Sequence, residues 1–171
     1  MHSKSSMTIR PVIAILLGGG IAATFDMTYA CISLAQRGKS PLWTMQSVAS
    51  GWLGNEAFSS GITGAAVGLL SHYGILFFAA TLYWFVSKRW SALRSPSLRI
   101  CALHGALFGV GIYLVMNFIV MPLSAFPFVI PYTARRLMEG FISHAFLVGL
   151  PIALSVRQWA RIPSRFANDK N

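Results

Sequence analysis

An all-α integral membrane four-helix bundle, with an interfacial amphipathic helix between its first and second spans, is the fold class this sequence predicts. Two observations carry that expectation. Hydrophobic residues make up 55% of the 171 residues and charged residues 11%, against roughly 25% charged in an ordinary soluble domain. The charges are also clustered: no Asp, Glu, Lys or Arg falls between Arg10 and Asp26, Asp26 and Arg37, Glu56 and Lys88, Arg99 and Arg135, or Glu139 and Arg157. Apolar stretches bounded in this way have the length of helices that cross lipid.

The first helix is expected over about 11–35, with Pro11 suited to a first turn. Gly18, Gly19, Gly20, Ala22 and Ala23 would weaken it in water, but in lipid they let a second helix approach closely. Apolar and small residues run on from Ile13 to Ala35, longer than the core of a secretory signal, so an uncleaved span is expected. Ser40-Pro41 then reads as a cap followed by Pro at the first helical position. Leu42, Met45, Val48, Ala49 and Trp52 recur at helical spacing with polar residues between them, which predicts an interfacial helix over about 41–53. The second span is expected over 61–87, with Gly64 and Gly68 in a GxxxG packing pattern. The third runs over 98–121, with Gly105 and Gly109 in another. Pro122, Pro127 and Pro131 break the chain into an apolar connection, and the fourth span follows over 133–156. Residues 1–10 and 157–171 form the tails.

The formal charge of +10 arises from 14 basic and 4 acidic residues. The basic residues flank apolar runs, where they meet lipid headgroups, and no basic stripe is interleaved with aromatics, so nucleic acid is not an expected partner. Lys4 and Arg10, the Lys88, Arg89, Arg94 and Arg99 connection, and Arg157, Arg161, Arg165 and Lys170 outweigh Arg37, Lys39, Arg135 and Arg136 on the other side. That asymmetry predicts cytoplasmic termini. Cys31 and Cys101 are expected near opposite faces and unbridged.

The informative residues are polar groups inside apolar runs, since a carboxylate at a helix centre costs on the order of 3 kcal/mol. At about 1.5 Å per residue from the cytoplasmic end, Asp26 and His72 lie about 22 Å deep, His144 about 20 Å and Asn117 about 27 Å. These four form an expected buried polar layer. Asp26 shares a helix face with Gly19, Ala22 and Ala23, and His72 shares one with Gly61, Gly64 and Gly68, so the two are expected to point inward and meet. Glu139 sits slightly further out, beside Arg135 and Arg136. His104 lies nearer the cytoplasmic end, outside the layer. Asp26, His72 and His144 are candidate metal ligands, since carboxylate and imidazole suit Zn, Fe, Ni or Cu. A haem between His72 and His144 is the remotest alternative. There is no HExxH, CxxC or GxSxG pattern, and Gly18-Gly19-Gly20 follows no strand, so it is no phosphate loop.

Asp26-Met27-Thr28-Tyr29-Ala30, Gln46-Ser47-Val48-Ala49-Ser50-Gly51, His72, and Tyr113-Leu114-Val115-Met116-Asn117-Phe118 leading to Met121-Pro122-Leu123-Ser124 give the chain a patchy resemblance, from Ile15 to Arg157, to small bacterial inner-membrane proteins of the YagU-type family. The resemblance implies a bacterial cytoplasmic-membrane location and four spans. It implies no activity and no catalytic role for Asp26 or His72. The leading expectation is therefore a non-enzymatic structural or interaction protein with no cofactor, in contact with the bilayer and with a second copy or another membrane protein. The alternatives are a small proton- or solute-transporting protein that uses the Asp/His layer, and a metal- or haem-binding protein.

Overall fold

The computed structural model describes residues 3–159, all helix, turn or coil with no strand among them. Arg161, Arg165 and Lys170, counted in the charge asymmetry, lie outside the described residues. The elements in order are α1 (Ser3–Ala35), α2 (Pro41–Leu53), α3 (Glu56–Ser59), α4 (Gly61–Arg89), α5 (Leu98–Leu123) and α6 (Ala134–Trp159). Four stretches, Arg10–Ala35 of α1 and the whole of α4, α5 and α6, are long and apolar enough to cross a membrane. Helix α1 begins at Ser3, so Pro11 sits inside it rather than in its first turn. The ring removes one bond of the backbone ladder without ending the helix.

The bundle is inside-out relative to a soluble core. Its buried residues are dominated by alanine (Ala14, Ala22, Ala23, Ala79, Ala80, Ala145, Ala153), whereas Ile62, Leu70 and Phe78 are 81%, 74% and 71% exposed. Lipid is as apolar as leucine, so nothing drives large side chains inward, and small residues bring the backbones together. Helix α1 lies between α4, which meets Gly19 through Leu76 and Phe77, and α6, which meets Gly18 through Ile152 and Ser155. Helix α5 packs on the far side of α6. There Gly105 and Gly109 face Gly149, and a methyl group on Gly149 would overlap the Gly105 carbonyl.

The second GxxxG pair, Gly64 and Gly68, is used differently from the first. The nearest neighbours of both glycines lie in the short helices α2 and α3 and the turn beside them. Gly68 receives the Met45 carbonyl of α2, and Gly64 that of Ala57 in α3. Ser40 caps α2 by accepting the Trp43 N–H at 3.1 Å. The face of α2 that turns inward is its polar one: Thr44, Gln46 and Ser50 are buried while Leu42 and Trp52 are exposed. Gln46 Nε2 donates to the Gly61 carbonyl at 2.9 Å, and Ser50 Oγ to that of Ser47 at 2.7 Å. Ala49 is buried beside them, and α2 lies along the first half of α4, where Gly68 meets Met45 and Ala49.

The connection after α5 lies against α2 and α3. Ala125 N–H donates to the Gly51 carbonyl at 2.9 Å, and Phe126, Phe128, Phe58 and Trp43 form a chain of ring contacts.

Candidate functional site: an Asp–His–His cluster at a cavity

Helices α4 and α5 touch where Tyr83 meets Phe108 edge-on, with ring centroids 5.0 Å apart. Further along they are separated by a cavity of about 660 Å³. Its wall is mostly apolar: Val48 and Trp52 of α2, Ile75 and Leu76 of α4, Ile112, Met116 and Ile119 of α5, Val148 of α6, and Leu123 to Phe126. The volume is in the range of small-molecule sites. The ionisable groups in this wall are Asp26, His72 and His144, one from each of α1, α4 and α6.

Asp26 stands between the two imidazoles. Its Oδ2 is 3.9 Å from His72 Nε2 and its Oδ1 is 4.0 Å from His144 Nε2. All three side chains are largely shielded, at 15%, 10% and 20% exposure. His72 Nε2 also lies 3.1 Å from the Ala23 carbonyl. A carbonyl oxygen only accepts, so Nε2 of His72 carries the hydrogen. The same argument fixes His144: its Nδ1 lies 3.1 Å from the Gly140 carbonyl and 3.3 Å from Ser143 Oγ, so Nδ1 is the donor.

That assignment leaves His144 Nε2 as the acceptor nitrogen, facing the Asp26 carboxylate. With neither protonated, two acceptors point at each other, and a single proton on either one turns the contact attractive. At 4.0 Å they are within ion-pair reach but outside hydrogen-bond reach. Direct proton transfer needs a closure of roughly 1 Å.

Local backbone irregularity frames the site. Helix α6 widens into a π-helical turn over His144–Gly149, beginning at the histidine, and α5 does so over Met116–Val120, beside the cavity. Such bulges re-aim side chains and recur at functional sites. The His144 ring is further held by Tyr113, edge-on at 5.0 Å, whose own ring lies over Gly140.

Of the expected polar layer, the structure thus brings together Asp26, His72 and His144 and leaves Asn117 outside. Asn117 Nδ2 donates to the Tyr113 carbonyl at 3.0 Å one turn back, and its own carbonyl accepts from Tyr132 Oη at 2.7 Å. Its side chain is spent along the helix because the π-helical turn that starts at Met116 alters the facing of α5. Glu139 lies apart from the cavity, bonded to Arg135 Nε at 2.7 Å and 3.5 Å from Arg37 rather than beside Arg136. His104, in the second turn of α5, is also separate, with Nδ1 buried and unbonded. Among the described residues Cys31 and Cys101 form no disulfide, and Cys101 Sγ lies 3.6 Å from the Ala153 carbonyl.

Sequence reasoning missed Tyr113 and Ser143 as supports of His144, Arg37 as a partner of Glu139, and Gly149 as the counterpart of Gly105. The Gly105 and Gly109 spacing signals a close partner without naming its residue. Among the described residues no group of three or more His, Cys, Asp or Glu side chains is placed to hold a metal ion.

Fold and site together define a helical membrane protein with a shielded carboxylate–imidazole cluster opening on an apolar cavity. Compared with models of protein families, with curated proteins and with solved structures, the chain matches none.

Proposed function

We propose that the chain binds a small, largely apolar, positively charged solute in this cavity and exchanges it for a proton held by Asp26 and His144. The observation that carries the reading is one carboxylate flanked by two imidazoles in an otherwise apolar cavity wall. Among the described residues lining the cavity, Asp26 is the one carboxylate. With both imidazoles neutral the cluster carries one negative charge, complementary to a cation. With an added proton it loses that charge and releases the cation. Ionisable groups within membrane spans mark such pathways, and this reading goes beyond a structural or interaction role. Residence in a bacterial inner membrane with cytoplasmic termini belongs to the proposal, supported by the YagU-type resemblance and the clustering of basic residues. Carrying the solute across the bilayer by this route calls for a second copy of the chain, because four helices leave little room for a pathway of their own.

The test adds tetraphenylphosphonium to the full-length protein in weakly buffered detergent and follows an indicator dye near pH 6.5. Release of protons on cation binding is expected. It is expected to vanish in Asp26→Asn and to persist in Asp26→Glu. Cation binding without proton release, or equal binding to Asp26→Asn, would overturn the reading.

A further inference from the structure

A second recess of about 420 Å³ lies at the end of the bundle where α1 finishes and α6 begins. The end of α1 supplies Tyr29 and Ser33, the turn after it supplies Gln36 and Arg37, and the start of α6 supplies Arg135 and Arg136. We propose that this recess binds a phosphate-class oxyanion, either the net-anionic headgroup of a phospholipid or free phosphate.

Three arginines line the recess together with a single carboxylate. Glu139 is paired with Arg135 and Arg37, and among the described residues Arg136 has no carboxylate partner. The recess therefore carries a net charge of about +2 at neutral pH. Its position makes that surplus costly. Arg135 and Arg136 occupy the first turn of a 26-residue helix, where the helix dipole is positive and disfavours cations. The end of that helix is already capped by Thr133, whose Oγ1 accepts the Arg136 N–H at 3.3 Å. A bound anion would offset both the mutual repulsion and the dipole, and Arg37 and Arg136 approach the recess from different segments. Guanidinium groups meet phosphate oxygens through paired N–H donors, and the hydroxyls of α1 and the amide of Gln36 add neutral donors. The site shares no residue with the cavity cluster and does not depend on its function.

Native mass spectrometry of the full-length protein from detergent micelles tests this with three probes: phosphatidylglycerol, phosphatidylcholine and inorganic phosphate. Arg37→Gln and Arg136→Gln are compared with Arg89→Gln, which removes the same charge at the exposed end of α4. Helical circular dichroism confirms that each variant is folded. Retention of phosphatidylglycerol over phosphatidylcholine, weakened about tenfold by Arg37→Gln or Arg136→Gln and unaltered by Arg89→Gln, supports the site with a lipid source. The same variant pattern with inorganic phosphate alone supports it with a free source. Equal weakening by Arg89→Gln assigns the binding to general surface charge and overturns the proposal, as does failure of both anions to bind the wild-type chain.

Discussion

Toward the Lys88–Arg99 turn, Tyr83 meets Phe108, and its hydroxyl donates to the Leu93 carbonyl at 3.1 Å. Arg157, near the end of α6, donates to the carbonyls of Ser95 and Pro96 at 3.2 and 2.7 Å, tying the fourth span to the same turn. Toward the opposite end the same helices α4 and α5 are held apart by the cavity, and α2 with the Leu123–Phe126 segment lies across the space. One end thus spends its side chains on contact and the other on an enclosed volume. The difference follows from residue size and placement. Near the turn, Tyr83, Ile152 and Val156 are completely enclosed. Around the cavity, the shielded groups include the polar cluster beside Leu76 and Val148, while Trp52 and Ile119 in the same wall are exposed.

Substitutions should separate the two ends. The largest effect is expected for Gly149→Val, since its first side-chain carbon would overlap the Gly105 carbonyl. Backbone is less able to yield than a flexible side chain, so a loss on the order of 3 kcal/mol is expected in reversible unfolding from mixed micelles. Wild-type stability in this variant would mean that α5 and α6 are not in contact as described. Next, Tyr83→Phe keeps the ring and deletes the hydroxyl bond to Leu93. Loss of one neutral hydrogen bond is worth about 1 kcal/mol, measured in the same assay. An unchanged midpoint would show that the bond adds nothing to the tight end.

The contrast also shows what the sequence carries. The spans were legible because charge-free apolar length is a one-dimensional property, and Asp26 and His72 were legible as a pair because small residues mark the inward face of each helix. His144 could be placed by depth. Depth does not say what a side chain touches: Asn117 donates to the Tyr113 carbonyl one turn back and does not line the cavity. The partners of the polar residues of α2 were not legible either. Apolar spacing identifies a face without saying whether water, lipid or protein lies against it, and here Thr44, Gln46 and Ser50 find their partners inside. Arg37 escaped notice as a partner of Glu139 because 102 positions separate them, and no local pattern spans that distance.

The smallest effect on stability is expected at the cavity wall, and it sharpens the comparison most. Ile119 lines the cavity yet is 53% exposed, so Ile119→Ala removes atoms that have few neighbours to lose. A change within about 0.5 kcal/mol is expected, as for other exposed positions. The lost methyl and methylene groups would instead be felt by an occupant, weakening tetraphenylphosphonium binding several-fold, since a buried CH₂ contributes about 0.8 kcal/mol. Unfolding and cation titration on one preparation read both quantities. If Ile119→Ala destabilises the chain as much as Tyr83→Phe and leaves cation binding unchanged, the space between α4 and α5 is a packing fault rather than a site, and the two ends of the bundle differ only in how well they are filled.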